Sequence, residues 1–192
     1  MNNLLLKDFI FHKNMIPKEL CTHLIEESEK DEWGKHKWYN VESDEHTSYE
    51  DKELDVLFPN SEIANQLYEF ITSAYEEYYF MCEEKTGNNI FAGAINQCCP
   101  PRFNRYTAGT TMRTHYDHIY SLFDGQNKGI PVLSLVGILN DDYSGGEFTF
   151  VDDEPIVTKT GDIIVFPSCF LYPHQVKEVT QGTRFSFVSW AW

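Results

Sequence analysis

The stretch PRFNRYTAGTTMRTHYD, residues 101–117, decides how the chain folds. It contains two short runs of strand length, Arg102 to Tyr106 and Met112 to Asp117, separated by Thr107-Ala108-Gly109, a turn signal. The same texture continues through Val132 to Leu139, Gly146 to Val151, Ile163 to Phe166 and Arg184 to Trp192. Asp124-Gly125, Asp141-Asp142-Tyr143-Ser144-Gly145, Thr160-Gly161-Asp162 and Gln181-Gly182 break it at turns. Many short strands with regular punctuation predict an all-β sandwich or barrel for this half.

Upstream of Cys98-Cys99-Pro100-Pro101 the pattern turns helical. Leu20, Cys21, Leu24 and Ile25 recur on one face after Pro17, which suits the first turn because it has no amide donor to lose. A longer helix should follow Pro59, capped by Asn60 or Ser61. Ile63, Leu67, Phe70, Ile71, Ala74 and Tyr78 would line its buried face, and it should end by Gly87-Asn88-Asn89. The expected architecture is mainly β with N-terminal α-helices, an α+β chain forming one domain over 1–192. Residues 1–100 are read as helical support with an acidic loop, and 101–192 as the β core.

That loop, residues 40 to 60, carries Glu42, Asp44, Glu45, Glu50, Asp51, Glu53 and Asp55 with only Lys52 nearby to balance them. Its composition predicts a solvated surface, or a lid that attracts cations. Over the 192 residues, 30 acidic against 15 basic side chains give a net charge of −15. Such a chain lacks the basic face needed to displace counterions from nucleic acid, and anionic membranes are disfavoured too. Leu4 to Leu6 and Phe9 to Phe11 form too short an apolar stretch for a signal segment or a span, so a soluble cytoplasmic protein is expected. The five cysteines have neither zinc-knuckle nor dithiol spacing and are read as reduced thiols.

Chemistry concentrates at His115-Tyr116-Asp117. On a strand, positions i and i+2 face the same side, so both side chains can grip one ion. His174 is the best third ligand, lying between two strand-like runs that an antiparallel fold can bring back beside the pair. Two imidazoles and a carboxylate leave open positions on a metal, as in non-haem Fe(II) oxygenases; zinc hydrolysis uses similar ligands, so the triad alone leaves the metal open. Arg184, ten residues after His174, would be a fixed cation on the closing strand, suited to bidentate grip of a carboxylate.

These residues stand in a larger set: Phe103-Asn104-Arg105-Tyr106, Gly109, His115-x-Asp117, Leu133-Ser134-Leu135 to Leu139-Asn140-Asp141-Asp142, Gly145-Gly146-Glu147, Gly161-Asp162, Phe166-Pro167-Ser168, His174, Gly182-Thr183-Arg184 and Trp190. In this order the set resembles the 2-oxoglutarate and Fe(II)-dependent oxygenases, within them the prolyl 4-hydroxylase-like branch, over residues 102–192. Ile16-Pro17-x-x-Leu20-Cys21 resembles the family's entry helix more loosely. The resemblance implies a double-stranded β-helix, the jelly-roll or cupin-like barrel, buttressed by helices. It implies that His115, Asp117 and His174 bind Fe(II), that Arg184 and Tyr106 hold the distal carboxylate of 2-oxoglutarate, and that Trp190 is an aromatic wall facing substrate. Many collagen-type members have Lys where this chain has Arg184, and relatives often have Tyr where Met112 stands.

The family's chemistry couples oxidative decarboxylation of 2-oxoglutarate by O2, giving succinate and CO2, to hydroxylation of an unactivated C–H bond, with ascorbate as a possible reductant. Related halogenases lack the carboxylate that Asp117 supplies, which disfavours halogenation. The resemblance implies a peptide or protein substrate containing proline, and His118 to Ile130 resembles the loop that folds over such peptides. His118 itself has the wrong strand parity to join His115 on the metal. Alternatives remain: the same chemistry on another peptide residue, a free amino acid or a small molecule; an AlkB-type nucleic-acid demethylase; or a non-catalytic barrel module. The demethylase pattern needs a second arginine where this chain has Trp190, and the charge of −15 opposes it. An intact ligand set and Arg184 oppose the non-catalytic module.

Overall fold

In the computed structural model, which describes residues 5–40, 45–48, 52–88, 93, 95–117, 131–150 and 152–192, most elements are short strands. In chain order they are β1 (Phe11–Asn14), α1 (Lys18–Ser28), β2 (Gly34–Lys35), β3 (Trp38–Asn40), β4 (Glu45–Thr47), β5 (Asp55–Leu57) and α2 (Ser61–Thr86). There follow β6 (Arg102–Thr107), β7 (Met112–His115), β8 (Leu133–Ile138), β9 (Ser144–Gly145), β10 (Phe148–Thr149) and β11 (Pro155–Ile156). The chain closes with β12 (Asp162–Pro167), β13 (His174–Val176), β14 (Val179–Gln181) and β15 (Thr183–Ala191).

Local chemistry sets the helix ends. The Asn60 side chain accepts from the Glu62 and Ile63 amides at 3.0 and 3.1 Å, satisfying donors that have no intrahelical partner. Gly87 closes α2 in the left-handed region at φ 68°, a conformation a Cβ resists. Pro17 sits at the cap position, one residue before the helical turn in which it was expected. Ile63, Leu67, Ile71, Ala74 and Tyr78 are buried as the period requires, and Tyr75 and Cys82 extend the stripe. Each fully buried Leu or Ile of that stripe contributes about 1.5–3 kcal/mol.

The partner of α2 is a seven-stranded sheet in the order β1-β12-β8-β15-β6-β5-β2; a four-stranded sheet, β11-β10-β13-β7, forms the second layer. All the named ladders are antiparallel. Strand parity divides the core in two. Phe103, Leu133, Leu135, Ile163, Val165 and Phe187 cluster with α1 and α2, whereas Tyr106, Val136, Ile138, Ile164 and Phe166 cluster with Met112, Phe148 and Val176 of the smaller sheet. The interior strand β8 is therefore buried along its whole length. Its Gly137 lies opposite Phe187, and a Cβ there would fall 2.0 Å from the Phe187 ring.

The N-terminal half contributes more than helices and a loop. β1 pairs with β12 at one edge of the main sheet, and β5 and β2 extend the other through β6. These strands have two to four residues, too few for periodicity to register, and tertiary pairing holds them. The acidic stretch is corrected likewise. β4 and β5 lie within residues 40–60, Glu53 is buried, and Asp55 is paired with Lys35 at 2.8 Å and Arg105 at 3.0 Å. Composition could not reveal those distant cations. Glu42, Asp44, Glu50 and Asp51 lie outside the described residues, as does the segment from His118 to Ile130. No helix among the described residues is long and apolar enough to cross a membrane.

Candidate metal centre

β7 and β13 run side by side with His115 directly opposite His174, and Asp117 lies just past the end of β7. One ligand atom from each residue falls within 4.8 Å of the other two; among the described residues this is the group of His, Cys, Asp or Glu side chains able to hold a metal ion. His115 Nε2 is 3.7 Å from Asp117 Oδ1, and His174 Nε2 is 3.9 Å from Asp117 Oδ2. The other nitrogen of each ring is already engaged. His115 Nδ1 lies 2.9 Å from the Arg113 carbonyl and His174 Nδ1 3.0 Å from the Tyr172 carbonyl, so each Nδ1 donates and leaves an Nε2 lone pair facing the centre.

The charge states agree with this geometry. Burial, then the neighbouring His174, push the His115 pKa down to about 4, against the opposing pull of Asp117. Burial alone would raise the Asp117 carboxyl, but the facing His174 and His115 and hydrogen bonds from Ser134 and Trp190 outweigh it, and the net direction is down. Ser134 in turn lies 2.7 Å, oxygen to oxygen, from Ser168, a buried hydroxyl pair that fixes the carboxylate from behind. A neutral imidazole facing an ionised carboxylate is the protonation state that metal binding requires.

Arg184 and Tyr106 are register partners across β15 and β6, and the Arg184 guanidinium carbon lies 5.1 Å from the Tyr106 ring centre. Arg184 is 1% exposed; its Nη1 donates to Ser186 Oγ at 2.8 Å, while Nε and Nη2 have no partner. A buried guanidinium with two idle donors fits a carboxylate, the group the cosubstrate of an Fe(II) oxygenase presents. Trp190, six residues along β15, completes the expected set, and all six candidate residues line one pocket. A larger cavity of about 430 Å³ lies away from this cluster, bounded by Lys18 and Ile25 of α1 and by Asn140 and Phe185; it contains none of the three ligand candidates.

Several site residues escape the sequence reading. Trp38 of β3 stands edge-on to His115 at 5.5 Å, its Nε1 donates to Glu53 at 2.7 Å, and His36 packs edge-on to it at 4.9 Å. These residues belong to the half read as support, and no spacing rule connects them to His115. Arg102 also lines the pocket, stacked over Trp190 at 5.1 Å. A usable signal existed for it: Arg102 and Tyr106 are four apart on one strand, so they share a face.

Comparison with known proteins agrees with the fold. Residues 101–192 match the family model of the 2OG-Fe(II) oxygenase superfamily. A PKHD-type hydroxylase of Burkholderia ambifaria is 33% identical over 138 residues, 68% of this chain and 56% of that protein. A PKHD-type hydroxylase of Stenotrophomonas maltophilia is 36% identical over 96 residues, 47% of this chain and 42% of that protein. The chain thus spans about half the length of these curated relatives. Among solved structures, a Pseudomonas putida prolyl-4-hydroxylase superposes with TM-score 0.62 at 17% identity, covering 95% of this chain and 91% of that one. A Trichoplax adhaerens prolyl hydroxylase, in complex with a hypoxia inducible factor peptide fragment, superposes with TM-score 0.67 at 13% identity, covering 96% and 84%. At these identities the solved structures establish the fold.

Proposed function

We propose, starting from the match of residues 101–192 to the family model of the 2OG-Fe(II) oxygenase superfamily, that this protein is an Fe(II)- and 2-oxoglutarate-dependent dioxygenase that hydroxylates peptidyl proline. The observation that carries the reading is the convergence of His115, Asp117 and His174 in one pocket with the half-idle guanidinium of Arg184. In this reading the two packed sheets form the double-stranded β-helix, with one catalytic domain over residues 1–192.

His115 Nε2, His174 Nε2 and an Asp117 oxygen would hold Fe(II), with Arg113 and Tyr172 carbonyls fixing the ring tautomers. When bound, the metal supplies activation of O2, coupled to conversion of 2-oxoglutarate into succinate and CO2. Arg184 Nε and Nη2 would grip the distal carboxylate of 2-oxoglutarate, with Tyr106 as the second contact. Buried walls such as Phe148 and Val176 keep water from the reacting centre. The Trp190 side chain, bound to Asp117, would form the aromatic wall beside the substrate. With Asp117 in place, no ligand position is given up to a halide.

The prolyl hydroxylase named in the Trichoplax structure was captured with a peptide, which supports a peptide substrate here by analogy of fold. The test is mass spectrometry of proline-rich peptides incubated aerobically with protein, Fe(II), ascorbate and 2-oxoglutarate. The expected result is one added oxygen on proline together with succinate. Succinate without a modified peptide would keep the oxygenase and discard the proline substrate; neither signal would remove both.

A further inference from the structure

The inner faces of β6 and β15 carry a guanidinium at each end. Arg184 faces Tyr106, and Arg102 lies four residues further along β6, opposite Val188, about 13 Å of strand away. Arg102 Nε donates to Asn104 Oδ1 at 3.2 Å, and its guanidinium carbon lies over the Trp190 ring, 5.1 Å from the ring centre. Among the described residues, no carboxylate lies within ion-pair distance of it. The contrast with Arg105 on the opposite face of the same strand is informative. Arg105 pairs with Asp55 at 3.0 Å and Glu29 at 2.8 Å. In a chain with twice as many acidic as basic residues, Arg102 is the one of these two β6 arginines without a carboxylate among the described residues. The nearby Asp117 is committed to the two imidazoles and to Ser134.

A partly buried cation without a counter-charge is costly, and a guanidinium held over an indole keeps donors free as a fork for a planar anion. We propose that Arg102, seated on Trp190, is a receptor for a carboxylate of the primary substrate, so that the oxidised carbon belongs to a carboxylate-bearing molecule. This rests on the oxygenase reading above, in which the distal carboxylate of 2-oxoglutarate is taken by Arg184. The carboxylate comes from a free amino or imino acid, or from an acidic residue beside a peptidyl proline; the chemistry at Arg102 is the same, and the net charge of −15 weighs against a polyanion.

The test is calorimetric binding to protein loaded anaerobically with Mn(II) and 2-oxoglutarate, using matched pairs: L-proline against L-prolinamide, and an acetylated Gly-Pro-Asp-Gly amide against its Asn counterpart. Wild type should favour the carboxylate of at least one pair about tenfold or more, and the pair that responds identifies the source. Arg102→Met, checked by thermal melting, should lose that preference while keeping wild-type affinity for 2-oxoglutarate. Arg102→Lys should retain part of the preference. No preference in either pair, a preference that survives in Arg102→Met, or weakened 2-oxoglutarate binding in that variant would overturn the assignment. Failure of the oxygenase reading would show separately, as no binding of Mn(II) and 2-oxoglutarate, and the wild-type against Arg102→Met comparison would still be read on the unloaded protein.

Discussion

His174 stands directly across the β7–β13 ladder from His115, with ring centres 4.4 Å apart. The pairing brings two residues 59 positions apart to one edge of the candidate metal centre, each ring pinned by a carbonyl two residues upstream.

His174→Ala should therefore abolish iron-dependent turnover and lower Mn(II) affinity by at least about 10–100-fold, since a ligand matters no less than its supporting shell. The variant should stay folded though less stable, because it loses one hydrogen bond to the Tyr172 carbonyl, worth about 1 kcal/mol, and ring packing against Phe148 and Phe166 at one edge of the core. Metal calorimetry beside circular dichroism reads both effects. A folded variant with unchanged affinity would remove His174 from the ligand set.

Ser134→Ala tests the support behind Asp117. The Ser134 hydroxyl donates to Asp117 Oδ2 and shares a hydrogen bond with Ser168. Its loss should weaken metal binding about tenfold or more with little change in 2-oxoglutarate affinity at saturating metal, as a positioning role demands. Equal loss of both affinities would mean general collapse of the pocket instead.

Arg184→Ala should raise the 2-oxoglutarate requirement steeply, by at least about tenfold, while metal binding stays measurable. Steady-state rates against 2-oxoglutarate concentration, with Mn(II) binding as the control, separate the two. Wild-type behaviour would overturn the cosubstrate assignment.

Gly137→Ala probes the packing that sets the strand faces. The added Cβ meets the Phe187 ring, so urea unfolding should show a loss of about 1–3 kcal/mol. Adding Phe187→Leu should recover part of it, because the clash is with that ring. Additive losses in the double variant would place the strain elsewhere.

Asp162 gives a pH-dependent prediction. It accepts from Asn14 Nδ2, the Lys159 amide and His12 Nε2, each at 2.8 Å. Burial opposes ionisation, but these bonds outweigh it and hold the carboxyl below its usual value. A depressed folded-state pKa means the stabilisation is complete above the unfolded value near 3.9 and is lost as pH falls through the folded value. Asp162→Asn should cost about 1–3 kcal/mol at pH 7, and the gap from wild type should close as the pH falls through the depressed folded-state value. Urea midpoints at pH 7 and in acid check this; a constant gap would contradict it.

How much was legible depended on whether an element carries its own signal. α2 was readable because Asn60, Gly87 and a 3.6-residue stripe all lie within it, and the strands from β6 onward because turn residues punctuate them. β1, β2 and β5 were not, since their partners lie about 20 to 150 residues away and their burial is partial. The ligand candidates stood out by residue type and parity. Trp38, Glu53 and His36 did not, because a stretch rich in carboxylates reads as solvated until the structure reveals the tryptophan and histidine packed among them. Arg102 opens a strand and belongs to no motif, and only its parity with Tyr106 places it on the inner face.

The central claim is that His115, Asp117 and His174 hold Fe(II) next to 2-oxoglutarate anchored by Arg184. Anaerobic addition of Fe(II) and then 2-oxoglutarate, followed by visible absorption, tests it most directly. The account predicts a charge-transfer band that needs both additions and is absent in Asp117→Ala and His174→Ala. Well-folded wild-type protein that gives no band, or a band that persists without these ligands, would contradict it.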